Sequence, residues 1–392
     1  MVLNRYDYLQ SREGQINRHL WRKRRGRFYF DLDLEPKSKN AMSRNDKAAL
    51  QMAVLEKMKT AKKRSYRSKI AMELSLKTSS INPPQVHTVV KNLLDLFSIP
   101  MCEICSKRQR LLYCDDSQIA YLAVRHFRKS EKGSIFLKTA PFADFLADLE
   151  LVHFQDIEDE DEDDLSRNRL NSANVDNYYE LRKKRSDIIR LFGQKAYDGL
   201  VRANKMSLQR HILSLPRLRL SDIASLYKSS RDKRLLDPKS KGLKSDFVGT
   251  IYHQISDLIY DHPIRLKLPH VPLRSGDTRN FKISVRRALR EHKNRFRVLG
   301  HLMIPSLLEV LYQPPSSHKG FVKDLDNIVR IVIPIVYEEL KPPLEIEGYE
   351  IIELPRVSET PKDGFVVIGV TSAWDSIESL WNRIDRAIEK WS

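Results

Sequence analysis

The chain has 392 residues, with 69 Lys and Arg against 51 Asp and Glu, a formal net charge of +18 and a pI near 9.6. The longest apolar stretch, 328–337, contains Arg330 and Pro334 and falls well short of the roughly 20 apolar residues a membrane span needs. The polar N-terminus lacks the apolar core of a signal peptide, and three cysteines cannot form an even disulfide framework, so the expectation is a cytoplasmic chain of two or three domains with no membrane attachment.

Residues 1–27 are polar and basic, densest at Arg22-Lys23-Arg24-Arg25, and are expected to form a flexible arm. Alternation predicts a strand at 28–34, and helical spacing of Leu50, Val54 and Met58 predicts a helix over 46–60. A strand at 70–77 ends before Pro83-Pro84, and Val86, Val89, Val90, Leu93, Leu94 and Phe97 mark a helix over 86–97. Strands at 118–127 and 134–138 follow. The run 156–164 holds eight carboxylates in nine residues and reads as a solvated linker or as a phosphate mimic lying in a basic groove.

Residues 178–260 are mostly helical in pattern, and 221–227 resembles the first half of a helix-turn-helix. The strand-helix order then returns: a strand at 264–268, a basic helix at 282–292, a strand at 307–312, Pro314-Pro315, an apolar helix at 325–340 and strands at 351–354 and 365–370. An amphipathic helix over 374–391 closes the chain. The fold class is therefore α+β. Its units are a basic arm (1–27), a first unit (28–150), an acidic linker (151–177), a helical insert (178–260) and a second unit (261–392). The shared order of the two units reads as a tandem duplication, with 85–91 matching 324–330.

A positive excess of this kind favours polyanions through phosphate contacts and counterion release. Arg22, Lys23, Arg24, Arg25, Lys39, Arg286, Arg287 and Arg290 are the candidate nucleic-acid contacts. Asp324 and Asp326 stand two residues apart where extended chain meets helix, so both carboxylates can face one ion. Mg²⁺, or Mn²⁺, is commonly held by one or two carboxylates and substrate phosphate. Capping of the helix N-terminus explains one of the two acids but not the pair. Cys102, Cys105 and Cys114 with His126 or His87 would make a four-ligand zinc set; reduced core or loop cysteines are the other reading.

The segment Lys323-Asp324-Leu325-Asp326-Asn327-Ile328-Val329-Arg330 resembles the Asp-x-Asp-Asn-x-x-Lys motif of the RusA-type Holliday-junction resolvases. Cys114-Asp115-Asp116-Ser117-Gln118-Ile119 is similar to that family's Asp-Asp-x-Gln strand, and Lys91 falls where its catalytic lysine sits. Leu34 to Asn40 resembles its N-terminal turn, and Ser65-Tyr66-Arg67 its Tyr-Arg. The resemblance covers about 28–140 and 262–372. It implies a Mg²⁺-dependent endonuclease for branched DNA, with Asp324, Asp326 and Asp116 at the metal and Asp115, Lys91 and Arg330 completing the catalytic set. It also implies two copies fused into a pseudo-dimer that would act as a monomer.

The copies depart from the pattern in complementary ways. Gln85 and His87 replace the acidic pair in the first, while Arg330 replaces the lysine in the second and only Glu345, Glu347, Glu350 and Glu353 stand near its helix. Three readings follow: a site within the second copy using one of these glutamates, a composite site joining Asp324 and Asp326 to Asp115 and Asp116, or a decayed fold that binds without cutting. A regulator binding a protein partner through the helical insert is a further class.

Overall fold

In a computed structural model the described residues are 8, 11–104, 108–159, 172–213, 266–268, 278–295, 298, 301–315, 324–341, 346–354, 364–373 and 380–391. The elements of the first half are α1 (Arg12–Arg25), β1 (Phe28–Leu32), α2 (Arg44–Thr60), β2 (Ile70–Lys77), α3 (Val86–Ser98), β3 (Ile119–Phe127), β4 (Ser134–Pro141) and α4 (Phe142–Asp159). Helices α5 (Ser172–Lys183), α6 (Arg185–Phe192) and α7 (Gln194–Leu213) follow. The second half has β5 (Leu266–Leu268), α8 (Thr278–Arg295), β6 (Ser306–Gln313), α9 (Leu325–Leu340), β7 (Gly348–Glu353), β8 (Phe365–Ser372) and α10 (Leu380–Trp391).

All eight strands form one mixed sheet, ordered β1-β4-β2-β3-β7-β6-β8-β5. Read from either edge the order is the same: the edge strand, the fourth of its half, the second, then the third. The directions repeat too. β2 runs parallel to β3 and antiparallel to β4, as β6 runs parallel to β7 and antiparallel to β8. The halves join through antiparallel pairing of β3 with β7, where Ala123 faces Glu350. The sheet thus has a pseudo-two-fold arrangement, with the join at its middle.

One face carries α2, α3, α8 and α9 over a core that includes Leu93, Leu94, Ile328, Val329, Val332 and Val336. The α9 segment is rich in β-branched residues and holds Pro334, choices that disfavour an isolated helix. Burial on this apolar layer overrides propensity, since Ile328, Val329, Val332 and Ile333 are fully buried. The other face is covered by α4 and α10, where Phe145 lies against both Tyr121 and Trp381 at ring-centroid distances of 4.3 and 5.1 Å.

Residues 12–25, expected to belong to a flexible arm, form helix α1, with the Ser11 hydroxyl accepting the Gly14 N–H at 3.2 Å. Contacts distant in sequence hold it. Arg22 donates to Asp148 on α4 at 2.6 Å, and His19 Nδ1 lies 3.1 Å from the same carboxylate. Arg27, just beyond the helix, bridges Asp148 at 3.3 Å and Asp385 of α10 at 2.6 Å.

The expected acidic linker begins later than 151, because α4 continues to Asp159. The rest of the acidic run and the 221–227 segment lie outside the described residues. Among the described residues no helix is long and apolar enough to cross a membrane.

Candidate metal centre

Helices α3 and α9 pack on each other at the join of the two halves, and the N-cap residue of α9 is extended. Asp324 is the N-cap of α9: its backbone carbonyl accepts Asn327 N–H at 3.0 Å, while its carboxylate makes no capping bond. Instead Asn327 Nδ2 reaches Asp324 Oδ2 at 3.4 Å. The helix-capping reading therefore does not account for this side chain.

Asp115 and Asp116 arrive from the other half on a turn between Tyr113 and β3. Tyr113 is fully buried and anchors the turn by donating its hydroxyl to Leu94 O of α3 at 2.7 Å. Gln118 then fixes its shape. Its Oε1 accepts the N–H groups of Cys114 and Asp115 at 2.7 and 3.1 Å, and its Nε2 donates to Tyr66 O and Ser68 O at 3.2 and 3.0 Å. Asp115 Oδ1 accepts Ser117 N–H at 2.9 Å.

Carboxylate oxygens of Asp115, Asp116 and Asp324 all lie within 4.8 Å of one another. Asp326 stands one step away, joined to the group by Lys91, whose Nζ is 2.7 Å from Asp116 Oδ2 and 3.3 Å from Asp326 Oδ2. Asp95, one turn along α3, adds a third contact to Lys91 at 3.2 Å.

Burial alone would lower the Lys91 ammonium, but the Asp116 hydrogen bond and the charges of Asp326 and Asp95 hold it well above its ordinary value. Burial pushes the Asp326 carboxyl up, and Asp116 adds to this against the pull of Lys91 and Arg330. The Lys91 ammonium is thus shared between Asp116, Asp326 and Asp95. Hard oxygen donors of this kind suit Mg²⁺ or Mn²⁺.

Of the residues expected at a metal, Asp324 and Asp116 lie in the close group together with Asp115, while Asp326 contacts Lys91. Sequence reasoning missed Asp95, whose spacing of four from Lys91 on a helix was the available signal. The nearby glutamates go elsewhere. Glu350 accepts the Tyr121 hydroxyl on the opposite face of the sheet, and Glu353 pairs with Lys69. Glu347 is half-buried, and Glu345 lies outside the described residues. Arg330 is exposed on α9, with Nη1 3.5 Å from Asn327 Oδ1.

Of the basic candidates, Arg24, Arg25 and Arg287 are exposed, and Arg25 lies 5.5 Å from the Trp21 ring centroid. Arg22 is a correction, because its guanidinium is committed to Asp148 inside the fold. Lys23 reaches Asp385 at 3.7 Å and Lys39 reaches Asp95 at 3.8 Å. Arg286 and Arg290 pair with Glu338 and Glu339 on α9 at 2.9 and 2.8 Å.

The zinc set does not assemble among the described residues. Cys102 and Cys114 are exposed free thiols, His126 Nε2 is 3.0 Å from Thr78 Oγ1, and Cys105 lies outside them. Comparison with family models, with curated proteins and with solved structures finds no match to this chain.

Proposed function

We propose that this protein is a Mg²⁺- or Mn²⁺-dependent endonuclease for branched DNA. In this reading it is built as two RusA-like units in tandem whose single cutting centre is composite. The observation that carries it is the meeting of Asp115 and Asp116 from one half with Asp324 from the other, within 4.8 Å and beside Lys91. A net charge of +18 and exposed Arg24, Arg25 and Arg287 support a polyanionic partner.

Asp115, Asp116 and Asp324 would hold the ion, whose chemistry when bound is to polarise a phosphoryl oxygen and lower the pKa of a coordinated water. Gln118 and Tyr113 keep the acidic turn in register with α9. Lys91 offsets the repulsion between Asp326 and Asp116 and would offer its ammonium to a substrate phosphate. The net reaction is hydrolysis: the water oxygen bonds to phosphorus, the bond to one deoxyribose oxygen breaks, and that oxygen leaves with a proton.

Cleavage of synthetic four-way, flap and linear duplex DNA with Mg²⁺ or Mn²⁺ tests the reading. Wild type is expected to cut branched substrates, and Asp324→Asn and Asp116→Asn are expected not to. Cutting that survives both substitutions would sink the assignment. Tight binding without cutting would favour the binding-only alternative, a reading supported by the Lys91 ammonium that already spans Asp116 and Asp326.

A further inference from the structure

Lys91 has two polar companions on α3. One residue on, Asn92 is buried, and its Nδ2 reaches Lys37 O at 3.1 Å and the Met42 sulfur at 3.3 Å. One turn on, Asp95 Oδ1 lies 3.2 Å from Lys91 Nζ, and Asp95 Oδ2 lies 3.8 Å from Lys39 Nζ. Lys37, Lys39 and Met42 all belong to one short segment, 37–42, that leads into α2.

Several contacts shape that segment. Ser38 O accepts the N–H groups of Ala41 and Met42 at 3.1 and 3.0 Å, which closes a turn with Lys39 and Asn40 at its tip. Lys37 pairs with Asp46 in the first turn of α2 at 3.1 Å, and Met42 is buried in the core. The turn is thus pinned to α3 on both sides of Lys39, through the residue next to Lys91. The Lys39 side chain itself stays in solvent, at 72 % exposure.

Asp95 faces two ammoniums, and Lys91 holds it at the shorter distance. A part-exposed carboxylate 3.8 Å from a solvated ammonium binds it weakly. A phosphate diester competes well for such a group, because lysine serves phosphate as a point charge. The two ammoniums flank a single carboxylate, close enough for two phosphates that are neighbours on one strand.

We infer that Lys39 forms a second phosphate subsite, taking the phosphate next to the one held at the metal centre, and that Asp95 positions it. This rests on the proposed nuclease reading. Asp95 sets the spacing between the two ammoniums, and Asn92 sets the height of the turn on α3. No bond is made or broken at this subsite; it fixes which phosphate of the strand meets the ion.

The test is a double-mutant cycle between the protein and a four-way DNA in which one phosphate at a time is replaced by an uncharged methylphosphonate. Full-length protein is used throughout, with affinity read in Ca²⁺ and in EDTA, and cutting in Mg²⁺. The phosphate at the ion is the one whose replacement removes the affinity gained from Ca²⁺. Lys39→Ala is expected to weaken binding to every DNA and to reduce the slope of log affinity against log salt by about 0.9, one phosphate contact. At one phosphate adjacent to the ion's, replacement should weaken binding by wild type and by Lys39→Arg but not by Lys39→Ala. Asp95→Asn, which keeps both ammoniums, should leave the salt slope as it is and blunt that selective effect. Losses from Lys39→Ala and from the neighbouring replacement that simply add would overturn the inference, and cutting by the same wild-type sample would show that the nuclease reading stands. Non-additive losses without any cutting in Mg²⁺ would uphold the subsite and overturn the nuclease reading.

Discussion

The ammonium of Lys91 lies 3.3 Å from the Asp326 carboxylate, a contact that joins helices of different halves of the chain at the place where three further carboxylates gather. Removing it should leave Asp116 and Asp326 facing each other without a neutralising charge. Lys91→Met is expected to lower stability in EDTA by about 1–3 kcal/mol, the cost of stranding partly buried charges. Mg²⁺ should then restore more stability to the variant than to the wild type, because the ion takes over the lost charge. Urea unfolding with and without Mg²⁺ reads both effects. A variant whose stability responds to Mg²⁺ no more than the wild type would show that the ammonium and the ion do not share a site.

Mg²⁺ itself should stabilise the folded chain by mass action. At a concentration 100-fold above its dissociation constant the gain is about 2.7 kcal/mol. Asp324→Asn and Asp116→Asn are expected to weaken Mg²⁺ binding at least about 10-fold, or 1.4 kcal/mol, by calorimetric titration. Asp326→Asn, one step removed behind Lys91, should weaken it less. Equal losses in all three would place Asp326 in direct contact with the ion.

Gln118 connects the acidic turn to the rest of the first half through four hydrogen bonds. Gln118→Ala leaves every carboxylate in place and removes what orients two of them. The expected outcome is a loss of about 1–3 kcal/mol in stability together with weaker Mg²⁺ binding. A larger Mg²⁺ dissociation constant, measured where circular dichroism shows the variant fully folded, would separate this positioning role from a purely structural one.

Much of the layout is legible in the sequence, for reasons that are local. The alternation of 70–77 and the spacing of 325–340 give elements whose bounds match β2 and α9, because each is patterned by burial on the same layer. The order of elements in the two halves is legible as well. The join is not: nothing in β3 or β7 taken singly says that their free edges meet, and the proximity of Asp116 to Asp324 depends on that pairing. Helix α1 is missed because its residues are basic and weakly apolar. What holds it are acids of α4 and α10, at the far end of the first half and at the end of the chain. The same acids explain why Arg22 is not a surface contact.

That clamp carries the last prediction. Asp148 is buried at 2 % exposure and meets Arg22, Arg27 and His19. Burial works to raise its carboxyl, but the His19 contact and the two guanidinium charges outweigh it and hold the group below its ordinary value of 3.8. A carboxylate depressed in the folded state contributes stability that is fully present above its unfolded pKa and is lost as pH falls through the lower folded value. Wild type should therefore lose part of its stability as pH drops below about 4, and Asp148→Asn should have lost that part already at pH 7. Arg27 keeps its 2.6 Å contact with Asp385, while Arg22 and His19 lose their anionic partner, so a cost of about 1–3 kcal/mol is expected at neutral pH. Urea midpoints of both proteins from pH 7 to pH 3 decide it. The curves should converge toward the acid end, and curves that stay parallel throughout would show that Asp148 does not hold α1 through its charge.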